Sequence, residues 1–236
     1  MQAYLHQFVF GIYPYICGAV FLAGSLIRFD REQYTWRSGS SQMLRARQLR
    51  WGSNLFHVGV LFLFAGHFVG MLTPHAVYEH FISAGGKQLL AMVSGGIAGA
   101  ACFVGLSMLL HRRLSDPRIR ATSSAMDIAI LAILWVQLVL GMATIPFSAG
   151  HLDGGVMMAL SEWAQRIVTF RGGAADVVAG VDAVFKAHMF LGMTIFLLFP
   201  FSRLVHVWSA PVWYVFRPYQ VVRRRGSAPP ASGARP

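Results

Sequence analysis

The chain has 236 residues, 56% of them hydrophobic and 12% charged, with a mean hydropathy of +0.53. This composition excludes an ordinary water-soluble domain and places the chain among polytopic membrane proteins. The net charge of +11 does not make it a nucleic-acid binder. Sixteen of its 20 basic residues fall in three stretches, 28–50, 111–124 and 203 onward, that lie on one side of a five-helix arrangement. That is a positive-inside bias, which puts the N-terminus outside and the C-terminus in the cytoplasm.

Five apolar segments are long enough to cross a bilayer: 5–27, 55–73, 88–110, 125–146 and 185–207. The first carries no basic n-region and no small-residue cleavage site, so it reads as a retained helix. It ends near Arg28, and a Ser- and Arg-rich cytoplasmic loop follows to about Asn54. The second stops at Thr73-Pro74, the third runs from Lys87 to His111-Arg112-Arg113, and the fourth ends at Pro146. In the long outer connection, Val156, Leu160, Trp163, Ile167 and Phe170 recur at helical spacing. They predict a short helix, either lying in the membrane interface or packed as an ordinary loop helix. The fifth segment contains Pro200, which should kink it. The fold expected is therefore an all-α integral membrane domain over residues 1–225, followed by a disordered cytoplasmic tail over 226–236.

Cys17 and Cys102 stand alone in apolar segments, with no C-x-x-C pair and no C-x-x-C-H motif. This argues against an iron–sulfur cluster or a covalently attached haem. The histidines are more informative. His57 and His67 fall in the second apolar segment, His188 and His206 in the fifth, where an ionisable side chain is costly and marks a relay, a pathway or a cofactor. The two segments run in opposite directions, so depth matches His67 with His188 on the outer side and His57 with His206 on the inner side. Two haems, one above the other, fit these pairs. Copper or zinc fits less well, because no third or fourth ligand gathers near either pair.

The helical geometry strains this picture. Straight helices would separate the histidines by about 15 Å on the second segment and about 27 Å on the fifth, with His57 and His67 about 80° apart. Tilt and a kink at Pro200 would have to absorb the difference. Gly66, Gly70 and Gly192 flank the histidines, where a flat macrocycle or a close helix can approach. Arg203, three residues before His206, suits a haem propionate or a simple positive-inside anchor. Lys87 suits a snorkelling lysine or a donor to a quinol oxygen beside the outer pair.

The chain resembles the gamma subunits of respiratory nitrate reductases, cytochrome b membrane anchors, from about Phe10 to Arg225. The resemblance is carried by Ile-Tyr-Pro-Tyr at 12–15, Tyr-Thr-Trp-Arg at 34–37, Ser-Ser-Gln-Met-Leu at 40–44 and Ser-Asn-Leu-Phe-His at 53–57. It continues through Gly-His-Phe-Val-Gly-Met-Leu-Thr-Pro-His at 66–75, Thr-Ile-Pro-Phe-Ser-Ala at 144–149 and Trp-Ala-Gln at 163–165. Its longest stretch is Gly-Met-Thr-Ile-Phe-Leu-Leu-Phe-Pro-Phe-Ser-Arg-Leu-Val-His-Val-Trp-Ser at 192–209. The resemblance implies two haems b, a distal one on His67 and His188 and a proximal one on His57 and His206. It implies a quinol-oxidation site at Lys87, Gly66 and His67, with menaquinol or ubiquinol as donor. It also implies an iron–sulfur beta subunit and a molybdenum-containing alpha subunit at the cytoplasmic face of a bacterial inner membrane. Two other readings stand beside it: a quinone-linked cytochrome b with another cytoplasmic acceptor, and a non-redox anchor or transporter.

Overall fold

The computed structural model describes residues 1–36, 41, 43–209 and 216–218, and among them every regular element is helical. The expected tail over 226–236 lies outside the described residues. Among the described residues five helices are long and apolar enough to cross a membrane: α1 (Gln2–Arg31), α2 (Ala46–Leu72), α3 (Ala84–Ser115), α4 (Ala125–Ala149) and α6 (Ala183–Leu198), the last extended to Phe201 by a 3₁₀ turn. A shorter helix, α5 (Gly155–Val168), stands where the apolar spacing predicted one.

Proline shapes the first span. Pro14 has no N–H to give to the carbonyl of Phe10, and the chain there loosens into a π turn over Phe8–Ile12. The indole Nε1 of Trp163 donates to that carbonyl at 2.9 Å. Gln165, also on α5, gives its amide to the carbonyls of Met71 (3.0 Å) and Thr73 (3.4 Å) at the end of α2. α5 thus lies across the ends of α1 and α2 and satisfies carbonyls that would otherwise be orphaned in an apolar setting. Its inner face joins the main buried cluster, which includes Phe10, Trp163, Val178, Phe185 and Met193. Phe170, just past its end, is exposed and stacks on Tyr15.

α2 and α3 meet backbone to backbone. A Cβ on Gly59 would lie 2.7 Å from Cys102 Cβ and 2.8 Å from the Ala98 carbonyl. One on Gly105 would collide with the Phe56 nitrogen and stand 2.7 Å from the Gly52 carbonyl. Small residues permit this approach, which supplies the dispersion contact that joins helices inside lipid.

The connections gather at two ends. At the basic end, Arg112, only 2% exposed, donates to the carbonyls of Ser41 (2.7 Å) and Leu44 (2.6 Å) and pins the turn before α2. Arg45 pairs with Asp116 there at 2.8 Å, and a Ser124–Asp127 capping box starts α4. At the opposite end, buried Gln88 donates to the carbonyls of Ser148 and His151, both at 2.8 Å, and ties α3 to the end of α4. α4 runs past Pro146 to Ala149 rather than stopping at the proline.

The fifth span departs from expectation. A single kinked helix over 185–207 is not what forms: the α-helix ends at Leu198, Phe199–Phe201 is a 3₁₀ turn, Ser202 is extended (φ −116°, ψ 175°), and a second 3₁₀ segment covers Arg203–Ser209. The cause is Pro200, which removes a donor from the ladder, together with a strong external donor to the freed carbonyls. Arg28 on α1 donates to the oxygens of Pro200 (2.6 Å) and Ser202 (2.9 Å), so these two carbonyls stay paired where the helix ends. His206 is therefore outside the fifth span.

Replacing Gly105 with valine should destabilise the protein by about 1–3 kcal/mol through overpacking, read as a lowered Tm of the detergent-solubilised protein.

Candidate functional site

The four histidines come together in two pairs. His57 on α2 faces His206 on the terminal 3₁₀ segment, with ring centroids 6.4 Å apart and planes at 75°. His67, farther along α2, faces His188 on α6, with centroids 6.1 Å apart and planes at 42°. The mismatch of axial spacing expected for straight helices is resolved by the end of α6 at Leu198, not by a kink: His206 is carried on a separate segment that Arg28 holds in place. Arg28 had read only as a positive-inside charge, and nothing local in the sequence marks it as a support for His206.

Each ring has its Nδ1 committed to a backbone carbonyl, and in His188 the Nε2 also lies 3.4 Å from the Gln137 side-chain amide. Nδ1 of His57 lies 2.7 Å from the Ser53 carbonyl and 3.1 Å from the Ser53 hydroxyl. Nδ1 of His67 is 2.7 Å from the Leu63 carbonyl, Nδ1 of His206 2.7 Å from the Arg203 carbonyl, and Nδ1 of His188 3.1 Å from the Gln137 carbonyl. A carbonyl only accepts, so each Nδ1 carries the proton and each Nε2 carries the lone pair. This is the arrangement of a metal-ligating histidine, whose outer nitrogen donates to a fixed acceptor.

Two imidazoles on opposite sides of one metal, each bound at about 2 Å, set their ring centroids about 6 Å apart. Both pairs have this spacing. Among the described residues no group of three or more His, Cys, Asp or Glu gathers as a metal cage. Each pair offers two nitrogens, a donor set that suits an iron already held in plane by a macrocycle. A Cβ on Gly66 or Gly70 would meet nothing within 4 Å, so α2 presents an unobstructed surface beside His67. Gly192 differs: its Cβ would stand 3.1 Å from the Gln137 amide, so it serves helix packing.

Lys87, in the first turn of α3, is 9% exposed, and its buried Nζ has no hydrogen-bond partner. The ammonium sits 3.7 Å above the ring of Tyr78, a cation–π contact that offsets part of its desolvation. Burial, reinforced by the nearby Glu79 carboxylate, pushes the Tyr78 hydroxyl above its ordinary range, so the ring below the lysine stays a neutral phenol. Arg203 places its guanidinium 3.7 Å from Asp127, which Arg113 also approaches at 3.9 Å. Asp127 therefore joins α4 to the segment that carries His206, a link that sequence spacing did not reveal.

Arg28→Leu should remove three charge-assisted hydrogen bonds, to the carbonyls of Pro200, Ser202 and Thr35, and cost about 1.5–3 kcal/mol. Limited proteolysis should then cut the 199–209 segment faster than in the unmodified protein.

The family model described as nitrate reductase gamma subunit matches residues 6–225. The chain is 55% identical over 222 residues to the respiratory nitrate reductase 1 gamma chain of Escherichia coli, covering 94% of this chain and 99% of that one. It is 56% identical to the respiratory nitrate reductase 2 gamma chain of the same organism, over 95% of this chain and 100% of the relative. Against the nitrate reductase gamma chain of Bacillus subtilis it is 38% identical, over 93% and 98% of the two chains. With its five apolar spans and a match that runs nearly end to end, the chain belongs to the nitrate reductase gamma subunit family.

Proposed function

We propose that this chain is the dihaem cytochrome b subunit of a respiratory nitrate reductase, oxidising quinol near the outer membrane face and delivering electrons to partner subunits at the cytoplasmic face. The observation that carries the reading is the pair of bis-imidazole sites, with centroids 6.1 and 6.4 Å apart and every Nδ1 committed to a carbonyl. In this reading Nε2 of His67 and His188 holds the distal haem b, and Nε2 of His57 and His206 the proximal one. When bound, the haems carry electrons singly across the bilayer from the quinol side to the cytoplasmic side.

The chain's own groups do the rest. The carbonyls of Leu63, Gln137, Ser53 and Arg203 hold the imidazoles in one tautomer and strengthen Nε2 as a donor. Lys87, buried without a hydrogen-bond acceptor, donates to a quinol oxygen, and Gly66 leaves space beside His67 for the ring of menaquinol or ubiquinol. The quinol's protons leave toward the outer side, so the reaction separates charge across the membrane. The arginines of the basic end put that end in the cytoplasm, in a bacterial inner membrane whose lipid covers the exposed apolar faces.

The E. coli and B. subtilis relatives are gamma chains of nitrate reductases. This supports partner subunits for the chain, in our reading an iron–sulfur beta subunit and a molybdenum-containing alpha subunit docked on the arginine-rich end, with Arg203 directed to a propionate of the proximal haem or to its Asp127 partner.

Reduced-minus-oxidised spectra of membranes carrying the complex should show b-type bands at two haems per chain, halved in His67→Ala; a folded complex without haem sinks the reading. Lys87→Ala should keep both haems and lower quinol-dependent nitrate reduction about tenfold to a hundredfold, the equivalent of one charge-assisted hydrogen bond, measured with a quinol analogue against an artificial donor.

A further inference from the structure

We propose that Gln137 and Gly141 on α4 are positioning residues for the outer histidine pair, forming the seat that fixes the ring plane of His188. The proposal rests on the dihaem reading above.

Three of the four histidines are held by their own segment. His57 and His67 use the carbonyl four residues earlier, at Ser53 and Leu63, and His206 uses the one three residues earlier, at Arg203. Such a ring keeps its orientation as long as its own backbone is intact. His188 is built differently. Its Nδ1 donates across to α4, to the carbonyl of Gln137 at 3.1 Å. The contact is returned: the side-chain amide of Gln137 donates to the backbone carbonyl of His188 at 3.1 Å. The same amide nitrogen lies 3.4 Å from His188 Nε2. One residue of α4 therefore grips both the ring and the backbone of the histidine, and its amide is buried enough that Oε1 has no partner.

One turn farther along α4, Gly141 completes the seat. A Cβ there would stand 2.9 Å from Cε1 of His188, 3.4 Å from Nδ1 and 3.6 Å from Nε2. The edge of the imidazole between its two nitrogens thus rests directly on the glycine backbone. On the α6 side, Gly192 lets the Gln137 amide come close, since a Cβ at 192 would lie 3.1 Å from Nε2. Carbonyl, amide and bare Cα together leave the ring little freedom about its Cβ–Cγ bond. A methyl at 141 cannot be absorbed by a flexible neighbour, because the atoms it meets are those of the ring itself.

The ring plane has a measurable consequence. The relative orientation of two axial imidazoles sets the ligand-field anisotropy of the iron between them, and the outer pair (42°) differs from the inner pair (75°). α4 contributes no histidine, yet by this argument it sets the spectroscopic and redox character of one of the two sites.

The test uses the intact complex in native membranes. Electron paramagnetic resonance of the oxidised form and a potentiometric titration resolve the two haems, and His188→Ala identifies the signal that depends on the outer pair. Gly141→Ala should displace or abolish that signal and leave the other in place. Gln137→Leu, which keeps the backbone acceptor and loses the amide, should retain full haem content and shift only the His188-dependent midpoint potential. Gly96→Ala on α3, whose methyl would meet only Ile145 at 3.6 Å, should change neither. The proposal is overturned if the His188-dependent signal and potential stay put in both α4 variants, or if both variants lose the two signals together, as a general packing role requires. Absence of b-type haem from the unmodified complex overturns the dihaem reading itself, and this proposal with it.

Discussion

A backbone carbonyl without a donor is expensive wherever water is excluded, and in this chain the way each such carbonyl is satisfied decides where the important side chains go. Pro14 strips the Phe10 carbonyl of its helical partner, and Trp163 takes it, drawing α5 across the top of α1. Pro200 breaks the ladder of the fifth span, and Arg28 takes the carbonyls exposed by the break. The C-terminal carbonyls of α2 and α4 go to Gln165 and Gln88. Each repair links two elements that are far apart in sequence, so satisfying the main chain also locks the bundle.

The same currency positions the histidines. An imidazole in an apolar bundle has two polar atoms to satisfy, and here a carbonyl takes the Nδ1 proton in all four cases. That leaves the lone pair at Nε2, on rings whose centroids face each other 6.1 and 6.4 Å apart. The pairing does not depend on long flexible groups: α2 carries one member of each pair on a single rod pressed against α3 through Gly59 and Gly105, and the other two members are brought to it.

Much of this was legible in the sequence. Hydropathy gave five spans, antiparallel logic brought His67 to His188 and His57 to His206, and the apolar spacing placed α5. The matching goes wrong where it treats the fifth segment as one helix to 207, because periodicity carries no record of Arg28, a side chain more than 170 residues away, reaching over to close the break. For the same reason Gln137, Gly141 and Asp127 were silent: a glutamine, a glycine and an aspartate on α4 have no motif, and they acquire meaning only against a ring or guanidinium from another helix. Lys87 was visible as a basic residue in an apolar region, but its unpartnered Nζ above Tyr78 is a tertiary fact.

Both histidine pairs join α2 to residues at the far end of the chain, with His188 and His206 following four of the five spans. The outer pair does not exist until α6 has been inserted, nor the inner pair until the segment beyond it has folded back onto Arg28. Contacts of such long range close late in folding, so a chain interrupted anywhere before the fifth span would sit in the membrane with its α2 histidines facing nothing. The order of synthesis therefore makes the fifth span a precondition for the outer site and the segment after it a precondition for the inner one. A protein that has made its fifth span but not the segment after it would hold the outer pair and lack the inner one.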